Sequence, residues 1–268
     1  MRLAPLGLVL IALAAAGCGG GSSNGGSKDA SSKAVFEAAS ITSGAGTARM
    51  SIAGTVTAVG QDISISGNGV LDLKGRRADI HTKAGPVAIE EVMQGHVFYM
   101  RSPELSRAIG STKPWIRFDV NALGLNLSSL GSTTQDPTQI LRYLRAAGSV
   151  IKVGSHTVRG VAATHYHAVV DLKKVPNSLP ASQRAAAAKG IQKLLSLGAQ
   201  SSIPIDVWID ASHHVRRIKL DESVAGATTS LTEDLYDYGA RVHIPSPSRA
   251  DSTDISKRAA QQLGGVGS

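Results

Sequence analysis

From residue 48 onward, stretches of side chains alternate between apolar and polar with a period of two. In "ARMSIAGTVTAV", Met50, Ile52, Val56 and Ala58 share one parity, while Arg49, Ser51, Thr55 and Thr57 share the other. That is the pattern of a half-buried strand. After a turn at Gly60-Gln61-Asp62, "ISISGNGVLDLK" sets Ile63, Ile65, Leu71 and Leu73 against Ser64, Ser66, Asn68 and Asp72, which predicts a long hairpin. Ala78 and Ile80 then alternate with Arg77, Asp79 and His81 before a Gly85-Pro86 turn. "VAIEEVMQGHVFYM" reverses at Gly95, and "KPWIRFDV" adds one more short strand. Clean alternation of this kind predicts an antiparallel meander with one face in water and the other against something apolar.

Three stretches switch to helical spacing. "KDASSKAVFEAASITS" carries Val35, Phe36, Ala39 and Ser40 on one face, with Asp29 or Ser31 as N-cap. "DPTQILRYLRAAG" has Asp136 as N-cap, Pro137 at the first helical position, and Ile140, Leu141 and Leu144 on one side. "PASQRAAAAKGIQKLLSLG" runs from Pro180 through Ala188, Ile191, Leu194 and Leu195 to a stop at Gly198. Strands resume in "VAATHYHAVVDL", "IPIDVWID", "HHVRRIKLDE" and "ATTSLTEDLYDYG", and the polar residues from Asp251 onward read as a frayed tail. The fold class is therefore α+β and mainly β: a large curved antiparallel sheet with a few helices on its apolar side. Three helices of modest length cover such a face only in part, and the gap is room for a ligand.

The segment ahead of this domain changes the picture. Arg2 precedes an apolar run from Leu3 to Ala16, too short for a membrane span and suited to an export signal. Ala15-Ala16-Gly17 then leads into Cys18, the single cysteine of the chain, and into a Gly/Ser tract. This resembles a bacterial lipobox, with Ala15 where leucine is more usual. The resemblance implies a diacylglycerol thioether on Cys18, and two acyl chains anchor durably. An ordinary secretory signal beside a chance cysteine is the alternative. About ten flexible residues span roughly 17 Å, enough to hold a domain just off a bilayer. The boundaries expected are a signal peptide at 1–17, a lipidated tether at 18–28, a folded domain at 29–248 and a polar tail at 249–268.

Charge adds less. The formal balance is +8, with Lys and Arg scattered and aromatics at 4%. The stacking platforms and cation clusters of a nucleic-acid partner are thus missing. His165 and His167 alternate on one strand, with His213-His214 in a turn, but no third ligand with metal spacing accompanies them, so no metal is expected. "GSSNG" at 21–25 fits G-x-S-x-G only by composition, because it lies in the tether. Phosphate loops and CxxC pairs are absent from the sequence. No cofactor and no catalytic residue are expected.

"VFYMRSP", "KPWIRFDV", "DPTQILRYLRAAGSVIKVG", "THYHAVVDL", "IPIDVWIDASHHVRRIKL" and "DLYDYGARVHIPSP" follow one another, from about Lys33 to Pro247, as in actinobacterial cell-envelope lipoproteins of the LppX/LprG type. The chain resembles that family, which belongs with the LolA-like carriers. The resemblance implies an open half-barrel with helices packed in its concavity. It also implies a lipid or lipoglycan ligand, an acylated anchor on the outer face of the cytoplasmic membrane, and an envelope transporter or export partner, the chain itself being a monomer. The cavity candidates are Met50, Ile52, Val56, Ile65, Leu71, Leu73, Ile80, Phe98, Met100, Phe118, Ile140, Leu144, Tyr166, Val170, Ile205 and Val207, for each of which plain core packing is the alternative. "NALGLNLSSLGSTTQ" (121–135) is long for a connection and carries Leu123, Leu125, Leu127 and Leu130. It reads either as a gate over the cavity or as a short irregular helix on the core. Three functions stay open: a lipid carrier or presenter, an envelope sensor using the same half-barrel, and a scaffold filled by its own side chains.

Overall fold

A computed structural model describes residues 25–58, 60–119, 148–178, 181–196, 198–224 and 227–258. Twelve strands build one sheet: β1 (Thr47–Ala58), β2 (Gln61–Asp72), β3 (Arg77–Ala84), β4 (Val87–Gln94), β5 (Val97–Arg101), β6 (Trp115–Asp119), β7 (Gly148–Val158), β8 (Val161–Asp171), β9 (Ser202–Asp210), β10 (Val215–Val224), β11 (Ala227–Tyr236) and β12 (Ser252–Asp254). Their order is β12-β6-β5-β4-β3-β2-β1-β11-β10-β9-β8-β7. The sheet is curved and unclosed, the half-barrel expected. Adjacent strands run antiparallel except β12, which lies parallel to β6. Two-residue turns hold the β3–β4 and β4–β5 reversals, with Gly85 and Gly95 at φ 57° and 64°, a region that glycine enters without strain.

Register carries the parity of β1 across the sheet. Met50 faces Gly69 of β2 and Leu235 of β11; Ile52 faces Gly67 and Glu233. The row of Met50 continues through Ile80, Glu91 and Met100 on one side, and the row of Ile52 through Ile218 and Val207 on the other. Helix α1 (Gly25–Gly44) packs on this face over β7, β9 and β10. It buries Ser31, Val35, Ala38, Ala39 and Thr42, a stripe at i, i+4, i+7, i+8 and i+11. The stripe is rotated from the expected one: Phe36 is half-buried and Ser40 exposed. Neither Asp29 nor Ser31 caps this helix, which starts at Gly25. Small side chains let it approach the strands closely, and Thr42 Oγ1 accepts the Val215 N–H at 2.8 Å, tying its end to β10. Helix α2 (Pro103–Ala108), not anticipated, joins β5 towards β6. A 3-10 turn (Leu172–Ser178) and helix α3 (Ala181–Ser196) follow β8, with Ala187 and Ile191 buried, Leu195 half-buried and Ala188 exposed. The predicted helix beginning at Asp136, with Ile140 and Leu144, lies outside the described residues.

The outer face is not uniformly wet. Val92, Tyr99 and Trp115 form a second buried cluster with Ile244, and Val70, Val97 and Val242 pack against it. After β11 the chain crosses the outside of β3 and β4 as a strap. Arg77 donates to the Ile244 carbonyl at 2.9 Å and Gln94 to the Pro245 carbonyl at 3.3 Å. The residues expected to fray then form β12 against Trp115–Arg117, secured by an Arg117–Asp254 ion pair and by the Asp119 N–H on Ser256 Oγ at 2.9 Å.

Candidate functional site

The inner face divides by what lies on it. Met50, Leu71, Leu73, Ile80, Val170, Ile205 and Val207 are buried in one continuous core with Val35, Ala38 and Ala39 of α1 and Ile191 of α3. Ile65, Phe98 and Tyr166 pack against that core half-buried. Val56, Met100 and Phe118 are also half-buried on the same face. Phe98 is paired with Phe118 and Met93, and Met100 with Ile116 and Glu91, so β4, β5 and β6 present an apolar strip that keeps part of its surface open.

Beside this strip lies a cavity of about 680 Å³. Its inner-parity wall is Ile52, Gly67, Thr82 and Ile89, one register row across β1 to β4. Most of its lining is of the opposite parity: Ser66, Asn68, His81, Lys83, Ala88, Glu90 and Arg101, with Pro103 of α2 beside them. Gly67 lets β2 lie close against β3. A Cβ there would lie 2.6 Å from the His81 carbonyl oxygen and 2.8 Å from Thr82 Cγ2. Of the predicted cavity residues, Ile52 lines it; the signal for Gly67 was hidden because a glycine adds nothing to an apolar count. Cys18 and the loop leucines Leu123, Leu125, Leu127 and Leu130 lie outside the described residues.

Polar groups punctuate this apolar face. Glu91 projects between Ile80 and Met100, and burial pushes its carboxyl above the ordinary value. Glu233, 3% exposed, sits between Ile52 and Ile218. Loss of water likewise raises the Tyr166 phenol.

The histidines singled out from sequence lie on the outer parity. His165 Nε2 and His167 Nδ1 meet the same oxygen, Asp206 Oδ1, at 2.7 and 3.1 Å. His165 stacks on Trp208 with ring centres 4.3 Å apart, and His214 stacks on Tyr238. Asp206, which β9 brings beside both, was the partner that spacing could not show. A different trio, Asp79, His81 and Glu90, brings its ligand atoms within 4.8 Å of one another.

No family model matches the chain. Its neighbours among solved structures include two mycobacterial lipoproteins. Lipoprotein LppX of Mycobacterium tuberculosis is 15% identical, with 80% of this chain and 99% of that one covered at a TM-score of 0.49. For LprF of Mycobacterium bovis the values are 15%, 82%, 98% and 0.42. A domain from Vibrio parahaemolyticus described as an outer membrane lipoprotein-sorting protein gives 9%, 80%, 94% and 0.33. Among curated sequences, an uncharacterised 31.2 kDa protein from the rplA–rplJ intergenic region of Streptomyces griseus is 29% identical over 171 residues, 60% of this chain. The match spans about half of that relative, 54% of its length. Among the described residues no helix is long and apolar enough to cross a membrane.

Proposed function

We propose that this protein is a membrane-anchored lipoprotein that holds a lipid or lipid-linked glycan in the cavity of its open sheet and carries or presents it in the cell envelope. The observation that carries this reading is the 680 Å³ space lined by Ile52, Thr82 and Ile89, with Ile89 two residues along β4 from Glu91, the partner of Met100 in the half-buried strip. Its size falls among ligand pockets, which run from about 300 to 1,000 Å³. Each 100 Å² of acyl surface moved into such a site contributes about 2.5 kcal/mol, so shape and apolar area suffice and no catalytic group is required.

The signal-like segment and Cys18 support the anchoring part of this reading, in which an acylated chain stands on the outer face of the cytoplasmic membrane. Native mass spectrometry of the protein purified from its own host, with extraction and analysis of what dissociates, tests the ligand. A bound acyl-chain species is expected. Protein that carries none, and takes none from vesicles of host lipid, refutes binding. Cys18→Ala should move the protein from the membrane fraction to the soluble one or leave it unprocessed; unchanged partitioning removes the anchor while leaving the cavity reading intact.

A further inference from the structure

On the outer parity, Asp79 and His81 stand two residues apart on β3, and Glu90 is the direct cross-strand partner of His81 on β4. Asp79 and Glu90 keep only 15% and 13% of their side-chain surface exposed, whereas His81 is half open at 53%. Two carboxylates this sheltered and this close are costly unless something positive sits between them. Arg101 supplies part of it. It is stacked over Trp115 at 4.9 Å and donates through both Nε and a terminal nitrogen to a single oxygen of Glu90, Oε2. Neither of those bonds reaches Oε1.

Asp79 is not served in the same way. Its Oδ1 is sealed from solvent and has no hydrogen-bond partner. His81 Nε2 lies 3.2 Å away, near enough to feel its charge but not aligned as a hydrogen bond. An imidazole nitrogen and a carboxylate oxygen 3.2 Å apart can share a proton or serve as two ligands of one ion. With Glu90 they make a one-nitrogen, two-oxygen set, which suits zinc at about 2.0–2.2 Å per ligand and leaves a fourth position open. That side is accessible, because His81 and Glu90 border the cavity. Arg77, two residues before Asp79, and the exposed Lys83, two residues beyond His81, are further cations on the same face of β3 besides Arg101.

We infer that Asp79, His81 and Glu90 form a zinc-class divalent cation site on the outer face of β3 and β4, with Arg101 holding Glu90 in place. His81 and Glu90 also line the cavity of the proposed function, but zinc binding is read without lipid, so the two proposals can fail separately. Titration of the full chain with zinc chloride, followed by calorimetry and equilibrium dialysis, should give one ion per chain. Changing even a partner of a metal ligand weakens binding by about 10–100-fold, so removing a ligand by Asp79→Asn or His81→Gln should weaken it by at least that factor. Cobalt(II) in place of zinc should give visible absorption that both variants lose. Asp206→Asn, in the other histidine cluster, should change neither result.

Circular dichroism without metal separates loss of fold from loss of ligand. His81→Gln, at the half-exposed member, carries the test should Asp79→Asn fail to fold. Absence of a bound ion, or binding that survives both trio variants and falls with Asp206→Asn, overturns the proposal. So does an His81 that NMR shows doubly protonated at neutral pH beside Asp79, for the trio is then a charge network that neutralises itself.

Discussion

Glu91 stands between Ile80 and Met100 on the face that otherwise takes apolar side chains, and burial raises its carboxyl above the unfolded value of 4.5. A group with a raised folded pKa binds more protons in the folded state than in the unfolded one. Stability therefore falls as pH rises from 4.5 through the raised value, and the loss is complete above it. Glu91→Gln should flatten this slope and be more stable than the parent at neutral pH, as read from urea midpoints between about pH 4 and 8. An unchanged slope would place the titration elsewhere. At Gly67 the issue is space. Gly67→Ala would press a methyl against the His81 carbonyl and Thr82, and overpacking of this kind costs about 1–3 kcal/mol. Gly154→Ala, where an added Cβ meets nothing within 4 Å, should stay within about 0.5 kcal/mol of the parent in the same denaturation series.

Elements differ in how plainly they were written. The hairpin of β1 and β2 was legible because Met50, Ile52, Ile65 and Leu71 keep one parity and Gly60 marks the turn. β7 was not, because a register shift between Lys152 and Gly154 breaks its parity, leaving Ile151 and Val153 each 51% exposed at the sheet's edge. β12 is three polar residues, too short for any period, and its strand character comes only from β6 beside it. The Asp79–His81–Glu90 trio was hidden for a related reason: its residues read as ordinary outward positions until the β3–β4 register set them together. Its pairing with β6 gives β12 a testable role. It covers an edge that would otherwise offer unpaired backbone to a second chain. A chain ending at Ser248 loses the Arg117–Asp254 pair, the Ser256 bond and the cover over Trp115–Arg117. It should melt earlier and elute in larger, concentration-dependent species on size exclusion. A truncated chain that is equally stable and monodisperse would show the edge to be protected by other means.

At the scale of the whole molecule, the described part of the inner face is core over most of its area and borders a cavity at Ile52, Thr82 and Ile89. Over β7 to β10, α1 makes Val207, Ile205 and Val170 into a core, and a charge placed there has no water to meet. Around β1 to β4 the row Ile52, Gly67, Thr82 and Ile89 borders empty space instead. The two regions should therefore answer substitution oppositely. Val207→Asp should destabilise by several kcal/mol, the cost of a buried unpaired charge, and lose ligand only because it unfolds. Thr82→Trp and Ile89→Trp, both at half-buried positions, should fill the cavity, keep the melting temperature near that of the parent and lower the lipid retained in native mass spectra. If the tryptophan variants hold as much lipid as the parent, the ligand does not use this cavity. If they unfold as Val207→Asp does, the row is core like the rest, and the molecule is a scaffold filled by its own side chains. A lipid carrier requires the third pattern, in which stability and occupancy separate, because only a face left unsealed by the chain itself can be sealed by something else.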